Sequence, residues 1–183
     1  MTDYSSEYLL VQKFLQGDES AFNRLALKYQ EKIYWHARRM TGNHLDADEI
    51  VQEVLLVMYK KLNTFKYSSS VYTWIYKITS TRSLNLLKRR KLKEIFSFED
   101  RDNNDLKNTE DIIANLETKE TFQKLEKVLQ KLPAKQREVF IFRNYDQMSY
   151  EEISEITGIS TGGLKANYFH AMKKITEWMN END

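Results

Sequence analysis

Residues 60–93 contain the two kinds of side chain that a protein needs to hold an unpaired nucleic-acid strand. In this chain of 183 residues, the segment has ten Lys or Arg residues and no Asp or Glu. Cations attract phosphates, and aromatic rings offer faces on which exposed bases stack. The segment is therefore a candidate single-strand-binding surface, and the alternative is that its charges merely solvate a helix face. Its aromatic residues are Phe65, Tyr67, Tyr72, Trp74 and Tyr76.

Charge is segregated along the chain rather than spread evenly. The formal net charge is only +1, but residues 60–93 alone carry +10. Residues 1–59 carry −3, residues 94–120 carry −6, and residues 121–183 are neutral. A basic block beside an acidic one indicates a polyanion-binding surface next to a segment that avoids or mimics polyanions.

A second candidate DNA-binding unit lies near the C-terminus. Ser149 with Glu152 three residues later forms a capping box for a short helix at residues 150–156. Gly158 marks a turn and Ser160 can cap a longer helix, which together give a helix-turn-helix pattern. Pairs of helices joined at a glycine also occur in plain bundles. The candidate DNA-contacting residues are Ser160, Thr161, Lys165, Ala166, Asn167, Phe169, His170 and Lys173.

The second helix of such a unit enters the major groove, where its early residues meet base edges and phosphates. Lys165 and Lys173 suit phosphates, and Asn167 can bridge a base edge. Ala166 permits a close approach to the DNA or contacts a thymine methyl group. Because the C-terminal part of the chain is neutral overall, we expect it to bind DNA only modestly by itself.

A cluster of acidic and amide side chains opens the helix predicted from about Asp46. Acidic residues at a helix N-terminus are favoured by the helix dipole, which is sufficient to explain Asp46, Asp48 and Glu49. Gln52 and Glu53 lie further along and are not explained in this way. They indicate a polar surface that could meet another protein.

Several classes of protein are disfavoured. The chain has no Cys, and no apolar stretch approaches the roughly 20 residues that span a bilayer. With no secretory signal pattern either, we expect a cytoplasmic protein without membrane insertion. The three histidines share no metal-ligand spacing, and there is no glycine-rich phosphate loop or nucleophile motif, so we predict no metal, no cofactor and no enzyme. His36 is predicted on a helix surface and His44 in a turn.

Apolar residues recur at spacings of three and four, which predicts an all-α fold. The expected arrangement is two small helical domains, residues 1–94 and 119–183, joined by an acidic linker at residues 95–118. Helices are predicted at residues 5–16, from Asp18 to Gly42, from about Asp46, and from Val71 onward after a loop. The inward stripe of the Val71 helix is expected to contain Val71, Trp74, Ile75, Ile78, Leu84 and Leu87, and that of the last helix Leu164, Tyr168, Met172, Ile175 and Met179.

Taken in order, these motifs resemble the extracytoplasmic-function group of sigma-70-type bacterial sigma factors, over nearly the whole chain. Residues 46–53, DADEIVQE, are similar to the most recognisable motif of that group. Residues 74–78, WIYKI, followed by KRR at 88–90 are similar to its promoter-melting segment. Leu132-Pro133 with Arg137, then SYEEI at 149–153 and GIS at 158–160, resemble its C-terminal helix-turn-helix.

The resemblance implies a factor that binds core RNA polymerase and directs it to promoters. Residues Asp46, Asp48, Glu49, Gln52 and Glu53 would dock on the polymerase clamp. The C-terminal domain would read the duplex minus-thirty-five element and bind the flap, and an anti-sigma factor is an expected partner. The N-terminal domain would read the minus-ten element and hold the melted non-template strand, with a loop at 66–70 capturing a flipped base. Its implied contacts are Lys66, Tyr67, Ser68, Tyr72, Lys77, Thr81, Arg82, Asn85, Lys88 and Arg89.

The sequence departs from the family pattern at four of these positions. Members often carry Asn at the position of Thr81 and Asp at that of Asn85, and basic residues at those of Asn167 and His170. The promoter sequence therefore cannot be copied from relatives. Two other functions stay open on sequence alone: a conventional helix-turn-helix regulator acting without core polymerase, and a protein that binds polymerase or a sigma factor without reading DNA.

Overall fold

The computed structural model describes residues 4–96 and 116–180, and the regular secondary structure of this part of the chain is entirely helical, with no strand. A short 3₁₀ helix, Leu62–Thr64, follows the third helix. The prediction of an all-α fold is confirmed. The α-helices are α1 (Tyr4–Leu15), α2 (Glu19–Thr41), α3 (His44–Lys61), α4 (Val71–Phe96), α5 (Leu116–Lys131), α6 (Ala134–Asn144), α7 (Tyr150–Thr157) and α8 (Thr161–Asn180).

The predicted linker at residues 95–118 is helical at both of its ends. Helix α4 continues to Phe96 and α5 begins at Leu116, and the interval between them lies outside the described residues. The boundaries of the two modules therefore remain a proposal. From here the N-terminal module means α1–α4, and the C-terminal module means α5–α8.

Polar caps and glycines set the helix ends. Asp18 accepts a hydrogen bond from the Ser20 amide at the start of α2, and Gly42, with φ 71°, ends the helix, as predicted. The prediction that α3 begins at about Asp46 is wrong by two residues. The Asn43 side chain accepts from the Asp46 amide at 3.1 Å, so the helix begins at His44 rather than leaving that residue in a turn.

The first core fills the space between α2, α3 and α4. Leu25, Tyr29 and Ile33 of α2 pack with Ile50, Val54 and Met58 of α3, and all are almost inaccessible to solvent. Helix α1 adds Val11 to this core, and α4 adds Val71 and Ile75. Burying such a side chain contributes about 1.5–3 kcal/mol, so this cluster holds the four helices together.

Helix α4 is buried on two sides, which its sequence pattern did not predict. Ile75 and Leu86 face the first core, whereas Tyr76 belongs to a second cluster with Val139, Phe142 and Ile153 of the C-terminal module. The predicted inward residues Trp74, Ile78, Leu84 and Leu87 are only partly buried, while small polar residues are buried instead. These residues are Thr73, Thr79, Ser80 and Ser83.

The helix-turn-helix forms where it was predicted. Ser149 and Glu152 make a reciprocal capping box, and Gly158 ends α7 with φ 73°. The Ser160 hydroxyl accepts from the Gly163 amide at 3.2 Å and caps α8.

One prediction for the core face of α8 is wrong. Met172 was expected to be buried, but it is exposed and Ala171 takes the core position. The predicted stripe takes two successive steps of four residues, and each such step rotates about 40° past a full turn. The observed order Leu164, Tyr168, Ala171 and Ile175 includes a step of three, which rotates back and keeps the residues on one face.

Buried polar contacts connect the two modules. Arg137 of α6, which is 6% exposed, donates to the Met40 carbonyl of α2 and to the carbonyls of Gln130 and Leu132. The Gln130 side-chain amide donates to the Arg39 carbonyl at 2.9 Å. Gln130 also lies so close to Gly42 that a Cβ there would be 2.6 Å from its Cδ.

The prediction that His36 lies on a helix surface is wrong. It is completely buried, because α6 and the loop after it cover this part of α2. Its Nδ1 lies 2.7 Å from Oδ2 of Asp146 in that loop. A pattern within one helix cannot reveal a cover supplied by residues more than a hundred positions away.

Candidate nucleic-acid interface

The loop at residues 65–70 presents polar side chains at the start of α4. Lys66, Tyr67 and Ser68 are exposed, whereas Phe65 is buried beneath them. Tyr67 adopts φ 55°, a left-handed conformation that costs free energy for a residue with a side chain. The Ser70 hydroxyl accepts from the Thr73 amide at 2.9 Å and caps α4, which fixes the end of the loop.

A polar face of α4 continues from this loop. The predicted contacts Lys77, Thr81, Asn85, Lys88 and Arg89 are all exposed on it. The Thr81 hydroxyl donates to the Lys77 carbonyl at 2.7 Å, so its donor has a hydrogen-bond partner within the helix. The exposed part of the face offers cations and hydrogen-bonding groups, which are the chemistry of phosphate contacts.

The acidic helix α3 lies beside this basic helix and pairs with it. Glu53 is 3.3 Å from the Arg82 guanidinium, and Asp46 pairs with Arg90. Burial raises the pKa of Asp46, and the charge of Arg90 acts in the opposite direction. Two residues predicted to bind the polymerase are therefore engaged by α4, whereas Glu49 and Gln52 are exposed. Asp48 has the exposed His44 as its neighbour, at 3.3 Å.

Tyr72 is the one predicted minus-ten contact that the C-terminal module covers. Its ring centre lies 4.5 Å from that of Tyr76, and its hydroxyl donates to the Asp146 carbonyl at 3.4 Å. Burial, and next the charge of Asp146, raise the pKa of the Tyr72 hydroxyl well above its usual value of 10. Base stacking on Tyr72 remains a prediction, and it requires the C-terminal module to move away.

Residues of α8 predicted to contact DNA lie on its outer side. Lys165, Ala166, Phe169, His170 and Lys173 are exposed, with Phe169 at 65%. Lys165 lies 5.8 Å from the Tyr150 ring centre, and Lys173 is 3.9 Å from Glu177. Thr161 and Asn167 are half-buried, and Ser160 is used as the helix cap. The first turns of α8 therefore offer an exposed surface to a groove.

Sequence reasoning missed a buried polar cluster between the modules. The Asp146 carboxylate accepts from Tyr76 at 3.3 Å and lies against His36, and the Ser80 hydroxyl donates to the Glu138 carboxylate at 2.5 Å. Burial raises the pKa of Glu138. The sequence did contain a signal for this cluster. Tyr72, Tyr76 and Ser80 are spaced four residues apart, which places them together on one face of α4.

Within residues 4–96 and 116–180, no three His, Cys, Asp or Glu side chains are grouped so that they could hold a metal ion. Among the helices described, none is both long enough and apolar enough to cross a bilayer.

Two family profiles match the two modules. Residues 25–93 match the family described as Sigma-70 region 2, and residues 122–175 match the family described as Sigma-70, region 4. The ECF RNA polymerase sigma-E factor of Haemophilus influenzae is 28% identical over 182 residues, with 96% of each chain covered. The sigma-E factor of Escherichia coli K12 is 26% identical over 185 residues, covering 96% of this chain and 95% of the relative.

Solved structures share the fold. CnrH, solved in complex with the cytosolic domain of CnrY, has a TM-score of 0.73 at 17% identity, over 97% of this chain and 99% of that one. The sigma factor RpoE of Bartonella quintana, solved with the anti-sigma factor NepR, has a TM-score of 0.71 at 21% identity. That match covers 87% of this chain and 96% of RpoE. Both modules therefore have the fold that the sequence pattern predicted.

Proposed function

The chain belongs to the extracytoplasmic-function group of the sigma-70 family, and from this premise we propose how its surfaces divide the work of promoter recognition. It is an alternative sigma factor, which binds core RNA polymerase and directs promoter-specific initiation. The residues that carry out each part are our proposal. As a subunit that positions a polymerase on the chromosome, it needs no catalytic site of its own and works where both are found, in the cytoplasm.

The observation that carries this proposal is the exposed basic face of α4 with the 65–70 loop at its start. Lys77, Lys88 and Arg89 supply charge for phosphates, and Tyr67 supplies an exposed ring for a base. This combination suits a strand whose bases have been unpaired. We assign the N-terminal module to the minus-ten element and to the melted non-template strand.

The C-terminal module reads duplex DNA in this proposal. The cap and turn of the helix-turn-helix fix α8 at its N-terminal end, which is the end that enters a major groove. Lys165 and Lys173 would contact phosphates, and Asn167 or His170 would contact base edges at the minus-thirty-five element. Phe169 offers an apolar face to a thymine methyl group.

The exposed acidic surface of α3 is assigned to the polymerase clamp. Glu49 and Gln52 are accessible to a partner, while Asp46 and Glu53 are held by arginines of α4. Docking at this surface would therefore act on the helix that holds DNA as well. The two solved relatives with partners are complexed with CnrY and with the anti-sigma factor NepR, and we propose an anti-sigma partner for this chain too.

Reading both promoter elements requires the two modules to separate. The centres of the elements are about 25 base pairs apart, which is about 85 Å of duplex at 3.4 Å per base pair. A folded chain of this size is only about 40 Å across. The buried contacts of Tyr76, Asp146 and Arg137 must therefore break when the polymerase holds the chain on a promoter.

The test is initiation by core polymerase reconstituted with the purified protein on genomic DNA of the source bacterium, followed by sequencing of the transcript 5′ ends. We expect a set of start sites with shared upstream elements, absent with core polymerase alone. If no start site depends on the protein, the proposed function is wrong.

A matched pair of variants tests the assignment of the α4 face. Charge reversal at Lys88 and Arg89 should slow promoter opening and make its dependence on salt shallower, because fewer phosphate contacts release fewer counterions, while core binding is retained. The control reverses the exposed Lys13 and Lys135, which changes the net charge equally and lies outside the proposed interface. Equal defects in the two double variants would contradict the assignment.

A further inference from the structure

Helix α1 lies outside both matched family profiles, which cover residues 25–93 and 122–175, yet it contacts the 65–70 loop directly. The Tyr8 hydroxyl donates to the Ser69 carbonyl at 3.1 Å, across 61 positions of sequence. The Tyr8 ring meets the Tyr67 ring edge to face, with 5.3 Å between their centres. It also lies 6.0 Å from the Phe65 ring.

Helix α1 is itself anchored to α2 and to the first core. Its Glu7 is 6% exposed, accepts a hydrogen bond of 2.6 Å from the Tyr29 hydroxyl, and pairs with Lys28 at 2.6 Å. Val11, one turn further on, is fully buried in the first core. Tyr8 lies between these two anchors, so its side chain transmits the position of α2 to the loop.

The loop needs such a support because its backbone is strained. Tyr67 has φ 55°, which persists in a non-glycine residue only where surrounding contacts hold it. Those contacts are the rings of Tyr8 and Phe65, the latter 5.0 Å from the Tyr67 ring. Aromatic centres at 4.5–7 Å attract one another, and the Ser69 hydrogen bond orients the peptide that follows.

We propose that Tyr8 is a positioning residue for base capture: it holds the 65–70 loop in the shape that receives an unpaired base, so that the loop is ordered before DNA arrives. This inference rests on the proposed function of the loop. A site that is ordered in advance avoids the entropy cost of ordering on binding. Tyr8 would not touch the base, and its effect would pass through Ser69 and Tyr67.

The variant Tyr8→Phe keeps the ring and removes only the hydroxyl that binds Ser69. We expect promoter opening to slow by about two- to tenfold, the range that corresponds to one net hydrogen bond. Tyr8→Leu, which also loses the ring contacts, should slow it further. The control is Leu9→Ala, a change on the same helix at an exposed position, and it should open the promoter at the wild-type rate.

A substrate without the captured base separates positioning from a general effect on the fold. Opening is measured on the promoter found above, by fluorescence of 2-aminopurine in the minus-ten element, with an abasic nucleotide placed at each position in turn. The captured base is identified as the one whose removal slows promoter opening by the wild-type protein most. On that abasic promoter, wild type and Tyr8→Phe should open at the same rate.

Each outcome decides the matter. Equal rates for wild type and Tyr8→Phe on the intact promoter would overturn the inference. The same fold-loss on intact and abasic promoters would overturn it as well, because the role would then be purely structural. Failure of the wild-type protein to support any initiation would instead refute the proposed function, which is measured separately.

Discussion

The two surfaces proposed to read DNA are built in different ways. The helix-turn-helix is fixed by neighbours in sequence, since Ser149 pairs with Glu152 and Ser160 with Gly163, each three positions apart. The surface around α4 is fixed by remote contacts. Tyr8 reaches Ser69 across 61 positions and Tyr76 reaches Asp146 across 70.

This difference determines how many elements a single substitution should destabilise. A change to a local cap should loosen the helix-turn-helix and leave the rest of the chain intact. A change to a remote contact should loosen two elements at once, because each holds the other. Removing local and remote contacts one at a time tests this contrast.

Arg137→Ala removes a remote contact, since Arg137 reaches Met40 across 97 positions. The buried guanidinium donates to carbonyls of Met40, Gln130 and Leu132, and these acceptors would lose their donor. We expect a loss of about 3 kcal/mol in the free energy of unfolding, since a buried acceptor left unsatisfied costs about 1–3 kcal/mol. Urea denaturation measures it.

The control for that variant is Lys135→Ala, an exposed position on the same helix, which should change stability by less than about 0.5 kcal/mol. Amide exchange should increase in α2 as well as in α5 and α6 of the Arg137 variant. Faster exchange confined to α5 and α6 would contradict a role in joining the modules.

Alkaline pH should weaken the interface between the modules. Burial, and next the charge of Asp146, raise the pKa of Tyr76 far above its usual value of 10. The folded chain thus keeps this proton where the unfolded chain loses it. The resulting stability is present below about pH 10 and lost above it, by up to about 1.4 kcal/mol per pH unit for one group.

The measurement is urea denaturation of wild type and Tyr76→Phe between pH 9 and 10.5. Lysines titrate in both proteins, so the difference between the two curves isolates the tyrosine. We expect the variant to lose less stability with rising pH than the wild type does. Parallel curves would show that Tyr76 ionises freely in the folded chain.

Ser149→Ala tests the local side of the contrast. It removes the hydroxyl that caps α7 and should cost about 1 kcal/mol, the typical value for an N-cap. Amides of α7 and α8 should exchange faster, whereas those of α2 and α3 should not change. Ser149→Thr retains a capping hydroxyl and serves as the control. Faster exchange in α2 and α3 would mean that the local unit is coupled to the whole chain.

The ion pair between Glu53 and Arg82 should have the smallest effect, although it is remote in sequence. Both side chains are about a third or more exposed, at 32% and 40%, so water screens the pair. A double-mutant cycle with Glu53→Gln and Arg82→Gln should give a coupling of about 0.5 kcal/mol. A coupling above about 1.5 kcal/mol would show that remoteness rather than burial determines the strength of these contacts.

Sequence predicted well those features that are encoded locally. The helix-turn-helix, its capping box and Gly158 were found because each depends on residues within a few positions. The exposed cations of α4 were found because charge patterning shows directly which face is solvated. The start of α3 was misplaced because Asn43 caps the helix, and the pattern of apolar residues gives no information about a cap.

The errors arose where packing between distant elements decides the outcome. His36 was placed on a surface because α6 and the loop after it provide its cover, and the second buried face of α4 went unnoticed because α6 and α7 cover it. The loop support from Tyr8 was missed for the same reason: within α1 it resembles an ordinary core aromatic. The periodicity of apolar residues identifies one buried face of a helix, and it does not identify a second face that a distant element covers.

Gly42 suggests how this chain can vary during evolution. Its φ of 71° alone would admit Asn, but a Cβ would meet the Gln130 side chain at 2.6 Å. A substitution at position 42 should therefore be found together with a shorter residue at position 130. In an alignment of close relatives, we expect these two positions to covary, linking the end of α2 to α5 through a constraint that neither position shows by itself.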